Sequence, residues 1–188
     1  IFEIEHWSLE QAKLAKTQEK ALERQVVIIT GAGGGIGSAT AHAFANEGAE
    51  VVLLDIAIEQ TKKLAKKIGG TALYCDVTDI QSITLALSKT CEIFGGVDIL
   101  VSNAGAAWEG EIGSVSTEKL KASISLNFWS HQFMAQGCVK IMMKQKTGGC
   151  LLFNTSKQAV NPGKNFGPYG LPKATTLFLM KQYALDHG

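Results

Sequence analysis

From Val26 onward the sequence repeats one pattern: a short run of β-branched and aliphatic residues, then a segment of helix length. The runs QVVIIT, EVVLLDI, TALYCDV, VDILVSNAG and CLLFNTS read as five strands bounded by turn-forming residues. Each is continuously apolar where a one-sided strand would alternate, which is the pattern of a parallel sheet covered on both faces. The segments between them predict helices over about 36–48, 58–68, 79–94, 117–146 and 170–187. Repeated strand–helix units require crossovers, so an α/β fold with a doubly wound parallel sheet of about five strands is expected. Such sheets bind ligands at the carboxyl ends of their strands. The residues just after each strand are therefore where function is to be sought.

The bulk properties narrow the classes. A chain of 188 residues, 46% hydrophobic, can build one domain with a real core. A net charge of +1 with both signs interspersed asks for neither nucleic acid nor an anionic membrane surface. The longest apolar runs are strand-sized, far short of a membrane span. No signal peptide is visible, and Cys75, Cys91, Cys138 and Cys150 are scattered, with no CxxC and no metal-ligand spacing. Reduced, buried thiols in a cytoplasmic protein are expected. Residues 1–25, charged and rich in Ala, Leu and Gln, read as a linker or N-terminal helical extension before a domain over 26–188.

After the first run comes TGAGGGIGSATAHAFANEG. The common G-x-G-x-x-G spacing does not fit, because the sixth place counted from Gly31 is Ile36; a wider one, Gly31-x-x-x-Gly35-x-Gly37, does. Glycines at a strand–helix turn, here also Gly33 and Gly34, leave bare N–H groups and a helix dipole for an anion. A purely structural turn is the alternative; bound pyrophosphate accounts better for five glycines in seven residues. The second run ends at Asp55, placed to accept both hydroxyls of a ribose and to repel a 2′-phosphate, which favours NAD over NADP. Its plainer reading is a cap for the next helix. The third run ends in CDVTD, where Asp76 is placed to accept an adenine amino group and Val77 to pack on the ring, with Asp79 a simple N-cap. The fourth ends in Asn103, Ala104 and Gly105, small enough for close backbone approach to a ligand, and the fifth ends near Ser156. Thirteen residues later, in YGLPK, Tyr169 and Lys173 lie one helical turn apart.

Taken together, TGAGGGIG, CDVTD, NAG, Asn127 in SLNFWS, Ser156 and YGLPK, in order over about 25–188, resemble the short-chain dehydrogenase/reductase family. The resemblance implies a Rossmann-like fold and an NAD-dependent oxidoreductase. It implies that Tyr169 is the general acid/base, that Lys173 holds the nicotinamide ribose, that Ser156 donates to the substrate oxygen, and that Asn127 supports a water-linked proton relay. A free tyrosine, with a pKa near 10, is a poor base at neutral pH, and a nearby ammonium favours its phenolate. Three departures stand out. Lys157 replaces a frequent second serine, and Pro172, expected in a first helical turn where N–H groups are unpaired anyway, precedes Lys173. Chains of this family also run to about 250 residues, so the last strands and the substrate flap are expected to be missing on the C-terminal side.

The loops AAWEGEIG and KQAVNPGKNFG are expected to face the substrate. Their polar residues (Trp108, Glu109, Lys157, Gln158, Asn161, Lys164) suit a sugar, polyol or hydroxy-aldehyde such as lactaldehyde better than an apolar chain; they read equally well as solvated loop residues. EIEHWSLEQAKL and SKQAVNPGKNFGPYGLPKA also resemble the dehydrogenase part of bifunctional rhamnulose-1-phosphate aldolase/short-chain dehydrogenases, which implies a covalently linked upstream aldolase-like domain. A homodimer or homotetramer through the helices at about 117–146 and 170–187 is implied by the family as well. The alternatives are a non-catalytic NAD-binding regulatory or scaffold protein, and epimerase chemistry on a nucleotide sugar.

Overall fold

The structure is a computed structural model describing residues 20–188; most of the linker expected over 1–25 lies outside the described residues. The strands are β1 (Val26–Thr30), β2 (Glu50–Asp55), β3 (Thr71–Tyr74), β4 (Ile99–Ser102) and β5 (Cys150–Phe153). They form one sheet in the order β3-β2-β1-β4-β5, with all pairings parallel. The strand order reverses direction between β1 and β4, which opens a crevice at their carboxyl ends.

Helices α1 (Gly35–Asn46), α2 (Ile58–Ile68), α3 (Ile80–Phe94), α4 (Thr117–Ile124), α5 (Ser130–Gln145) and α6 (Gly167–His187) follow in chain order. Alternate residues of each strand face opposite sides of the sheet; both sides of the central strands are covered, whereas the edge strand β5 leaves Cys150 and Leu152 exposed on one face. Val26, Ile28, Val52, Leu54 and Leu100 pack with Ile83 and Leu87 of α3 and Met134 and Cys138 of α5. Val27, Ile29, Val51, Leu53 and Val101 pack with Ala41 of α1 and Leu64 and Ala65 of α2. Each fully buried aliphatic side chain contributes about 1.5–3 kcal/mol relative to exposure.

Three expectations need correction. The helix expected over 117–146 is interrupted by a π-helical turn at Ser125–Trp129 that contains Asn127. Such a turn re-aims the side chains that follow it. Helix α6 begins at Gly167, with Pro168 in its opening positions, so Pro172 falls in the second turn rather than the first. A proline there leaves the carbonyl four residues earlier without its helical donor; Ser123 of α4 supplies one, its hydroxyl donating to Pro168 O at 2.7 Å. The cysteines are all free, but only Cys75 and Cys138 are buried. Cys91 is half-buried, and Cys150 is exposed on β5. Burial pushes the Cys75 thiol up to about 11 and the Cys138 thiol up to about 12. No helix among the described residues is long and apolar enough to cross a membrane.

Candidate active site

A cavity of about 370 Å³ opens at the carboxyl ends of β1 and β4. It is lined by the glycine turn (Gly31, Gly34, Gly35, Ile36, Gly37), by Asp55, by Asn103 through Ala107, and by Asn154, Tyr169 and Lys173. Five separate stretches of chain, each at or just past a strand end or in the first two turns of a helix, therefore converge on one space.

The turn is shaped by close approach. Gly31 has φ +65°, and a Cβ there would stand 2.9 Å from Ala104 Cα. A Cβ on Gly37 would run into the Gly31 carbonyl oxygen, so α1 can begin this tightly only over glycine. At Gly35 a Cβ would meet nothing within 4 Å. The space above the first residue of α1 is open, and no side chain caps that helix. Bare N–H groups at a helix start, with room in front of them, fit the pyrophosphate of a dinucleotide.

Asp55 ties β2 to this turn. Its Oδ2 accepts the Gly33 N–H at 2.8 Å and its Oδ1 accepts the Ala57 N–H at 2.8 Å. At the next strand end, Thr30 Oγ1 accepts the N–H groups of Asn103 and Ala104, at 2.9 and 3.0 Å. Asn103 Nδ2 donates to Thr30 O at 3.0 Å, and Asn103 Oδ1 accepts from Asn154 Nδ2 at 2.8 Å. The ends of β1, β4 and β5 are thereby locked together under the cavity.

Lys173 Nζ donates to Asn154 O at 2.9 Å and lies 3.2 Å from His131 Nε2, while His131 Nδ1 lies 2.7 Å from Ser102 Oγ. The ammonium also sits 5.9 Å from the centroid of the Tyr169 ring. Burial lowers Lys173 to about 8. His131 falls to about 3, first through burial and then through the neighbouring Lys173 charge.

The remaining expected residues stand back from the cavity wall. Asn127 is fully buried, with its Oδ1 accepting the Ala106 N–H at 3.2 Å and its Nδ2 donating to Ala106 O at 2.8 Å. Its side chain thus holds the loop that carries Ala106 and Ala107. Its own carbonyl accepts the Thr176 hydroxyl at 2.8 Å. Ser156 caps a short 3-10 turn, its Oγ accepting the Gln158 N–H at 3.2 Å. Asp76 Oδ1 accepts the N–H and hydroxyl of Thr78, at 2.8 and 2.7 Å, and Val77 is buried in the core. The two loops expected to face the substrate meet each other: Gly110 N–H donates to Asn165 O at 2.7 Å, in a bridge of Gly110 with Phe166.

Sequence reasoning missed Asn154 and His131; Ala106 and Ala107, expected only as part of a substrate-facing loop, line the same cavity as the glycine turn. Asn154 follows β5 directly, so the strand-end rule that found Asn103 also points to it. His131 stands one turn beyond Asn127, but its partner is 42 positions away and nothing local marks the pair.

Residues 25–188 match the short chain dehydrogenase family. The chain is 32% identical over 195 residues to the uncharacterized oxidoreductase YuxG of Bacillus subtilis, covering 100% of this chain and 28% of that protein. It is 35% identical over 145 residues to a galactitol 2-dehydrogenase of Agrobacterium fabrum, covering 76% of this chain and 56% of the relative. Among solved structures, an alcohol dehydrogenase from Thermococcus sibiricus, complexed with 5-hydroxy-NADP, superposes with a TM-score of 0.81 at 27% identity, over 87% of this chain and 71% of that one. The chain belongs to the short-chain dehydrogenase family. It spans 28% and 56% of the length of those two curated relatives.

Proposed function

We propose that the chain forms the cofactor site and catalytic group of an NAD-dependent dehydrogenase acting on a small polar alcohol or its carbonyl partner, a sugar, polyol or hydroxy-aldehyde such as lactaldehyde. One observation carries this reading: the glycine turn, Asp55 and the Tyr169–Lys173 pair line a single cavity. A bound nicotinamide would supply the hydride acceptor or donor. Tyr169 passes the proton to or from the substrate oxygen, and the Lys173 ammonium lies 5.9 Å from the centroid of its ring. Two of the ammonium's three N–H groups are directed at Asn154 O and His131 Nε2, which leaves one for a ribose hydroxyl in the cavity. Asp55 keeps lone pairs free on both oxygens for the adenosine ribose, and its charge disfavours a 2′-phosphate. Ser156 serves the substrate oxygen, and Asn127 sets the Ala106 loop that borders it.

The polar substrate class is supported by the side chains of the two bridged loops and by the galactitol 2-dehydrogenase among the relatives. A longer protein is supported by YuxG, of which the match takes up 28% while covering all of this chain; the aldolase-like upstream domain rests on the resemblance of the opening residues alone. A cytoplasmic homodimer or homotetramer completes the reading.

The test is Tyr169→Phe in the intact protein, assayed with NAD⁺ against galactitol and lactaldehyde. Turnover is expected to fall by about 10²–10⁴-fold while NAD⁺ still binds. Unchanged turnover would remove Tyr169 from the chemistry. Tight NAD⁺ binding without turnover in the parent protein would favour a regulatory NAD-binding protein instead.

A further inference from the structure

Lys173 is only 2% exposed, yet the proposed chemistry needs it cationic and aimed at the cavity. Two arms reach its ammonium, and both start from neighbouring residues at the end of β4. One runs from Asn103 through Asn154, whose carbonyl accepts at 2.9 Å. The other runs from Ser102 through His131. The first is built from strand-end residues. The second is a fully buried histidine that nothing in the reaction otherwise employs.

We propose that His131 is a positioning residue for Lys173: a neutral imidazole, protonated on Nδ1, whose Nε2 accepts one ammonium N–H and so directs another into the cavity. The proposal rests on the reading of Lys173 as a cofactor-holding cation.

The proton assignment follows from donor and acceptor counts. An ammonium has three donors and no acceptor, so at 3.2 Å the His131 Nε2 facing it must be the acceptor. The ring N–H then lies on Nδ1, 2.7 Å from Ser102 Oγ, which accepts it. Ser102 is 1% exposed and His131 0%, so this arm ends inside the protein and anchors the lysine without carrying protons to solvent. The ring is also held by packing, its centroid 6.3 Å from that of Phe153 on β5. Among the described residues, the titratable groups facing the ammonium are His131 on α5 and Tyr169 on its own helix. The groups contributed by β5 and the Ala106 loop, Asn154 O and the neighbouring Gly105, are neutral. An apolar side chain at 131 would leave an ammonium N–H facing a dry wall, a cost the lysine relieves by losing its proton.

The experiment has two readouts that need no substrate. Ring ¹⁵N spectra of the parent protein are expected to show His131 neutral with the proton on Nδ1, and its Nε2 signal to move in Lys173→Met. A proton on Nε2 would overturn the proposal. The Lys173 titration, followed at ¹³Cε, is expected to drop by roughly one pH unit in His131→Leu and to return most of the way in His131→Asn, whose carbonyl can accept. NAD⁺ affinity is expected to weaken about tenfold in the Leu variant and recover in the Asn variant. A Lys173 titration that is the same in folded Leu variant and parent would reduce His131 to core packing. Should Tyr169→Phe retain turnover while these results hold, the catalytic reading fails and the positioning of Lys173 stands.

Discussion

The Ser123 hydroxyl on α4 donates to the Pro168 carbonyl on α6 at 2.7 Å, and the same oxygen accepts from Asn127 Nδ2 at 3.1 Å. One buried serine thus satisfies the carbonyl that Pro172 deprives of its helical donor and fixes the amide that holds the Ala106 loop. Ser123→Ala is expected to cost about 1–3 kcal/mol, as for any buried polar pair left unmade, measured by urea unfolding. Pro172→Ala restores a backbone N–H in reach of Pro168 O, so the serine substitution is expected to cost less in that background. Equal costs in both backgrounds would show that the serine does not compensate for the proline.

Two glycines of the same turn are expected to respond in opposite ways. Gly37→Ala forces a methyl into the Gly31 carbonyl, and the fold loses thermal stability together with NAD⁺ binding. Gly35→Ala meets no protein atom within 4 Å; stability holds or rises by up to about 1 kcal/mol, while the methyl intrudes where the pyrophosphate would lie. Calorimetric titration with NAD⁺ beside a melting curve for each variant separates the effects. Undiminished binding in the folded Gly35→Ala variant would place the pyrophosphate elsewhere.

Under the function proposed above, Asp55 is what selects NAD over NADP. Removing its carboxylate in Asp55→Ala releases the Gly33 and Ala57 N–H groups and the repulsion of a 2′-phosphate. NAD⁺ affinity is expected to fall by roughly ten- to a hundredfold, the worth of hydrogen bonds to a charged group, and the preference over NADP⁺ to collapse. Dissociation constants for both dinucleotides, in parent and variant, read this directly. A preference that survives the substitution would assign it to other residues.

His131 makes stability sensitive to acid. Its folded value, about 3, lies below the ordinary histidine value of 6.5. Between those limits the unfolded chain binds a proton that the native protein does not, so stability falls as pH drops through this window. Unfolding free energies between about pH 5 and 6 are expected to vary by about 1 kcal/mol per pH unit less in His131→Asn than in the parent. Identical slopes would mean that the native histidine is protonated.

The runs of β1, β2 and β4 were legible because central parallel strands are buried on both faces and burial leaves its mark in composition; the edge strands β3 and β5, which hold no buried residue, carry apolar runs without that reason. The glycine turn and Asp55 were legible for a related reason: each occupies a fixed place relative to a strand end. What escaped depends on contacts between distant segments. No local pattern says that α6 starts at Gly167, that Ser123 answers Pro172, or that His131 meets Lys173 across 42 residues. Ser156 was found by its distance from Tyr169, but its hydroxyl caps a short turn outside the cavity lining.

The bridge between Gly110 and Phe166 bears on how such a protein diversifies. Because the loop after β4 and the loop before α6 share backbone hydrogen bonding, they act as one module. Transplanting either alone from a relative would break the seam, whereas exchanging both would keep it and would also replace Ala106 and Ala107 in the cavity wall.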